Sequence, residues 1–137
     1  GNTQRSGYSI PFTFKEFGKR VVVEAEINGR KAPLMMDTGN TAAGIAFTSL
    51  PQAERYGIII PGDATDSVQG GVSGWGRVKV FYVNRVKVGP IDRAHVKVSV
   101  NMNTSESGDD PLLGHEFFDG WQYNIDMKEN KIYLLRR

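Results

Sequence analysis

The 137-residue chain has no cysteine and only two histidines, His95 and His115. That excludes disulfides, thiol nucleophiles and thiolate-bound metals, and leaves little material for a histidine-based metal site, although it does not fix the compartment. No apolar run approaches the roughly 20 residues of a membrane-spanning helix. The net charge of +2 is too small to imply a nucleic-acid or membrane partner. Several catalytic signatures are also missing. His115-Glu116-Phe117-Phe118-Asp119 has Asp119 where a zinc-protease helix needs its second histidine. There is no Gly-x-Ser-x-Gly elbow. Gly71, Gly74 and Gly76 lack dinucleotide-binding spacing, and no phosphate loop is present. No metal or other cofactor is therefore expected.

What is present reads as mainly β structure in a single domain, long enough to bury a core without staples. Val21, Val23, Ala25 and Ile27 alternate with Val22, Glu24 and Glu26, the period of a half-buried strand. Asn28-Gly29 follows, the pair that a type I′ hairpin turn favours because both central residues need positive φ. The return strand from Lys31 to Met36 becomes continuously apolar, as a strand entering a core does. Pro33 within it implies an edge position or a bend. A short helix is predicted at Thr48–Gly57, from a hydroxyl N-cap, Pro51 in the first turn and a terminal glycine. Three strand patterns follow, Val78–Val83, Val86–Val88 and Ala94–Val100, with Gly89-Pro90 separating the last two. His115–Gly120 reads as one or two helical turns. The chain closes in a hairpin, with Trp121, Tyr123, Ile125 and Met127 on one arm and Ile132 and Leu134 on the other. Residues 1–12 read as a polar leader and 13–137 as the folded domain. If the leader is a processed end, export or a periplasmic location is favoured; otherwise the location is open.

The basic residues Arg77, Lys79, Arg85, Lys87, Arg93 and Lys97 alternate with valines, which reads as a solvated sheet face. A nucleic-acid surface would carry more net charge and interleaved aromatics. An unrelated β-barrel using that face for binding remains a rival reading.

The chemistry concentrates at Asp37-Thr38-Gly39, at the exit of the apolar run Leu34-Met35-Met36. Alone, such a triplet reads as an Asx-turn or helix N-cap sooner than as a catalytic group. As a catalytic group, Asp37 would need a partner, because hydrolysis by paired aspartates requires two carboxyl groups sharing one proton. The chain holds no second copy of the triplet. Downstream lie a glycine-rich segment, Gly70-Gly71-Val72-Ser73-Gly74-Trp75, and an apolar-apolar-glycine motif, Leu112-Leu113-Gly114.

In this order the features resemble the retropepsin-like aspartic proteases, the single-lobed family of retroviral proteases and their bacterial relatives. Leu112-Leu113-Gly114-His115-Glu116-Phe117-Phe118 and Tyr123-Asn124-Ile125-Asp126 resemble the bacterial branch. The resemblance spans about Val21 to Leu135. It implies an all-β acid-protease barrel with a β-hairpin flap and one or two short helices. It also implies a homodimer in which Asp37 pairs with Asp37 of a second copy, hydrolysing an extended peptide through a bound water. Thr38 would brace the two loops across the dimer. Gly39 would allow the tight turn and aim an N–H at the carboxylate. Leu112, Leu113 and Gly114 would pack beneath the catalytic loop.

Asp66–Val80 would form the flap, with Gly70, Gly71, Val72, Ser73 and Gly74 at its tip; without Asp37 these glycines read as a plain mobile loop. Trp75 would line the substrate channel or pack on the hairpin arm. Asn40 departs from the Ser, Thr or Ala usual after the triplet; its amide would donate to Asp37 or serve the turn. In viral members the terminal strands join a dimer sheet, a point this leader and the ending Leu134-Leu135-Arg136-Arg137 leave open. The resemblance also admits a catalytically inactive relative that binds peptides or serves assembly.

Overall fold

The computed structural model describes residues 7–15, 20–37, 43–71, 74–105 and 108–137. In chain order the elements are β1 (Gly7–Pro11), β2 (Thr13–Lys15), β3 (Arg20–Ile27), β4 (Arg30–Asp37), β5 (Ile45–Phe47) and helix α1 (Leu50–Arg55). They continue with β6 (Thr65–Gly71), β7 (Gly74–Val88), β8 (Ile91–Asn101), β9 (Leu112–Gly114), a 3₁₀ turn (His115–Phe118), β10 (Trp121–Asp126) and β11 (Lys131–Arg136).

The first hairpin shows how alternation becomes a barrel wall. Val23, Ala25 and Ile27 are buried while Glu24 and Glu26 face solvent. Asn28 and Gly29 take positive φ, 51° and 84°, and β3 and β4 pair from Val22↔Met35 to Ile27↔Arg30. Asn28 then does something its turn role does not announce. Its N–H donates to the Arg85 carbonyl at 2.8 Å, and its Oδ1 accepts from the Arg85 N–H at 3.0 Å. Beside this exchange β3 pairs with β7 through Glu26↔Lys87 and Ile27↔Val86. That contact closes the ring β3-β4-β9-β5-β8-β7, with β2 and β6 attached at its margins. The ring removes most open sheet edges, and its interior holds Leu34, Ile45, Val86, Val88 and Val98, all with no exposed surface.

Pro33 sits where the edge is open, because β9 pairs only with Met35–Asp37. The helix begins as its capping pattern predicts: the Ser49 hydroxyl accepts from the Gln52 N–H at 3.2 Å, and Gly57 lies beyond the end at φ 77°. Val78–Val83 and Val86–Val88 belong to one continuous strand, β7, rather than two. The break in their alternation is where Asn28 bonds to Arg85. Strand β5 has no periodic signature, since all three residues are buried. Gly89 turns β7 into β8 at φ 57°, and a Cβ there would clash with Ile10 Cγ2.

A second sheet has the order β1-β11-β10. Its β1 lies inside the stretch read above as leader and pairs with β11 of the same chain from Gly7↔Leu135 to Pro11↔Lys131. The closing hairpin is tightened by the Asp126 carboxylate, which accepts from the N–H groups of Lys128 and Glu129.

Candidate active site

Asp37 is the last residue of β4, and its side chain is partly exposed. What fixes it is the short parallel strand beside it. Met35, Met36 and Asp37 pair with Leu112, Leu113 and Gly114 respectively. Just before β9, the Met35 N–H donates to the Pro111 carbonyl at 2.8 Å. On its other side β9 runs antiparallel to β5, with Ile45 opposite Leu113. Leu34, Ile45 and Leu113 are at most 1% exposed, so the carboxylate stands at the mouth of a closed apolar seam.

Backbone bonds extend the seam outward. The Gly114 N–H donates to the Gly44 carbonyl at 2.8 Å, and the Gly44 N–H donates to the Lys97 carbonyl at 2.9 Å. Gly44 carries a steric requirement too: a Cβ there would lie 2.8 Å from Val96 Cγ1 and 3.4 Å from the Lys97 carbonyl oxygen. Sequence reasoning missed Gly44. Its signal was slight, a glycine among small and apolar residues, Ala43-Gly44-Ile45-Ala46.

The structure thus joins Asp37 to Leu112, Leu113 and Gly114 through one pair of parallel strands. Thr38, Gly39 and Asn40, with the roles inferred for them, lie outside the described residues.

The glycine-rich segment belongs to a separate element. β6 and β7 form a hairpin from Thr65↔Val80 to Gly71↔Gly74, with Gly70 opposite Trp75. Val72 and Ser73 lie outside the described residues, as does the choice between the two placements of the Trp75 ring. β7 joins β8 only from Val78↔Asn101 onward, supplemented by the Met102 N–H donating to the Arg77 carbonyl at 2.9 Å. The outer part of the hairpin is therefore a two-stranded arm. Val68 on it is 61% exposed, whereas Val78 at its root is buried. Lys79 Nζ lies 2.7 Å from Asp66 Oδ1 across the hairpin. The hydrogen bond from Lys79, and then its charge, hold the Asp66 carboxyl below the ordinary 3.8.

The basic run is partly neutralised where it lies. Lys79 pairs with Asp66, Arg85 Nε stands 3.4 Å from Asp92 Oδ1, and Arg93 Nη1 donates to the Asp119 carbonyl at 2.8 Å. His95 is exposed at φ 57° and stacks on Tyr82 with ring centroids 4.2 Å apart. His115 opens the 3₁₀ turn after β9. Among the described residues no group of three or more His, Asp or Glu is arranged to hold a metal ion, and no helix is long and apolar enough to cross a membrane.

Comparison with known proteins bears on this geometry. The family model described as "gag-polyprotein putative aspartyl protease" matches residues 23–119, from β3 through the 3₁₀ turn that follows β9. Among solved structures, the chain is similar to a retropepsin-like aspartic protease from Rickettsia conorii. The TM-score is 0.68, with 21% identity, 93% of this chain covered and 90% of the other. At that identity the likeness concerns the fold, which is retropepsin-like. No curated protein matches the chain in sequence.

Proposed function

Because the chain belongs to the gag-polyprotein aspartic protease family, we propose that it is an endopeptidase whose active site forms between two copies, each giving one Asp37. The observation that carries this reading is the seat of Asp37: a lone aspartate at the exit of β4, held by Leu112–Gly114. One carboxylate in an isolated chain can bind a water but cannot also protonate the carbonyl it attacks. Two carboxyls sharing one proton do both. The ionised member takes a proton from the bound water as its oxygen attacks the scissile carbon. The protonated member gives its proton to the carbonyl oxygen. The tetrahedral diol then collapses, the amine nitrogen takes up a proton, and the C–N bond breaks without a covalent enzyme intermediate.

The arm of β6–β7 supplies the flap in this reading. A strand-like peptide fits beneath such an arm because its backbone can hydrogen-bond along its length, and closure excludes water during the reaction. The second copy meets a different problem here from the one in viral relatives. β1 is already paired with its own β11, so a partner must approach the outer edge of β1, that of β10, or another face.

The test is Asp37→Asn. Cleavage of a peptide library should fall at least about a thousandfold, as expected for loss of the acid–base pair, while the circular-dichroism spectrum stays unchanged. Specific activity of the unaltered protein should drop on dilution as dimers separate. Cleavage by a species that sedimentation shows to be monomeric would sink the two-copy site. A folded protein that binds peptides and cleaves none at any pH would leave the inactive-relative reading in its place.

A further inference from the structure

We infer that Gln52, on the helix α1, is a positioning residue for Asp37: it sets the finer placement of β9 against β4, and with it how Gly114 lies opposite the carboxylate. This rests on the aspartic protease reading of the site, and no motif of the sequence points to it.

Gln52 is 1% exposed, one of only three buried polar side chains among the described residues. A buried amide is costly unless its groups are bonded, and both ends of this one are. Its Oε1 accepts from the Thr48 N–H at 2.8 Å. Its Nε2 donates to the Asp109 carbonyl at 2.5 Å, a contact joining positions 57 residues apart. Exchanging the two ends of the amide would set donor against donor and acceptor against acceptor, so the orientation is determined.

The Asp109 carbonyl begins a run of three anchored residues. Asp109 Oδ1 also lies 3.2 Å from Arg20 Nη1, and Asp110 Oδ2 lies 2.7 Å from Lys15 Nζ. The Pro111 carbonyl then accepts from Met35 on the strand that carries Asp37. Residue 112 opens β9. Three successive residues are therefore tied to α1, to β2 and to β4.

These ties are unequal. Lys15 and Arg20 side chains are 50% and 39% exposed, so solvent and salt weaken their pairs. The Gln52 bond is part-buried, with its donor side chain 1% exposed. It also acts at the entry to a short strand, since β9 pairs with β4 over three residues and with β5 over two. The buried Leu113 rules out a one-residue slip of β9, which would turn that side chain out of the core, so what the Gln52 bond sets is the finer placement of the strand's first residues.

The decisive variant is Gln52→Glu. When protonated, the introduced carboxyl can still accept from Thr48 and donate to the Asp109 carbonyl. When ionised it has no donor and places a charge against that carbonyl. The Asp109 and Asp110 carboxylates add to the repulsion and Arg20 and Lys15 partly offset it. Buried, the introduced group should titrate above the ordinary carboxyl range. Peptide cleavage is measured for wild type and variant at about pH 4 and about pH 7. The variant-to-wild-type ratio of kcat should be near one in acid and fall about tenfold or more at neutral pH, with KM little changed, as misplacement of a reacting group predicts. The variant Gln52→Leu should be impaired at both. A flat ratio for Gln52→Glu, or wild-type kcat for Gln52→Leu, would overturn the inference.

Amide hydrogen exchange at Leu112–Gly114 reads the same displacement without catalysis. In Gln52→Glu it should match wild type in acid and run faster at neutral pH. Exchange that stays equal at both overturns the positioning role even if the wild-type protein cleaves nothing, whereas absent cleavage with shifted exchange counts against the protease reading alone.

Discussion

Strand β9 pairs with β4 over three residues and is buried from Leu113 on, whereas β6 pairs with β7 over seven and its residues 65–68 stand in solvent. By backbone pairing alone the hairpin should be the firmer element. The surroundings reverse that order. β9 is covered on both sides, by β4 and β5, and its Leu113 side chain is sealed in the core. Among the described residues the outer hairpin pairs only across itself, and residues 65–68 on it are exposed, the marks of a region that opens locally. The contrast suits the proposed chemistry. A shared proton demands that the carboxylate be held still, and a lid demands that it open.

The largest expected effect that would test this contrast comes from truncating matched apolar residues in each region. Leu113→Ala removes a side chain that is 1% exposed and should destabilise the protein by about 2 to 5 kcal/mol. Val68→Ala, on the exposed arm, should change stability by no more than about 0.5 kcal/mol. Denaturant unfolding of the two variants measures both. Equal losses would erase the distinction between seam and arm.

A smaller effect is expected at Gly44. Gly44→Ala forces a Cβ to within 2.8 Å of Val96 Cγ1, and the crowding should cost about 1 to 3 kcal/mol. Because the Gly44 carbonyl receives the Gly114 N–H, peptide cleavage should fall further than global stability does. Cleavage that simply tracks the folded fraction would show that the Gly44–Gly114 link carries no functional information.

The same contrast governs what could be read from sequence. Local patterns were legible because their physics is local: alternation around Val23 and Ile27, the Asn28-Gly29 turn, the Ser49 cap with Pro51, and the closing hairpin at Lys128–Asn130. Asp37 and Leu112–Gly114 were legible as an ordered set of motifs, and the structure pairs them directly. The long-range parts left little trace. β5 is three buried residues without a period. Asn28 reaches Arg85 across 57 positions. Gln52 reaches Asp109 across the same separation, and its burial inside a polar helical stretch contradicts its residue type. In each case the partner is chosen by the closed barrel, and no local preference encodes it.

The smallest effect belongs to the arm and concerns acid. Asp66 and Lys79 face each other across the hairpin at 2.7 Å, with side chains 69% and 29% exposed. Exposed pairs of this kind contribute little to global stability, so Asp66→Asn should leave the unfolding midpoint in place. Local opening should still respond. Lys79 holds the folded-state pKa of Asp66 below the ordinary 3.8, so the pair's contribution is fully present above that ordinary value. It is lost as pH falls through the lowered one, when the carboxyl is protonated while Lys79 keeps its charge. Amide exchange across residues 65–68 and 77–80 should be faster in Asp66→Asn than in wild type at neutral pH. The two proteins should converge in acid below Asp66's lowered pKa. A difference that persists undiminished there would mean that packing, not the ion pair, closes the arm, and the arm would then be held more like the seam.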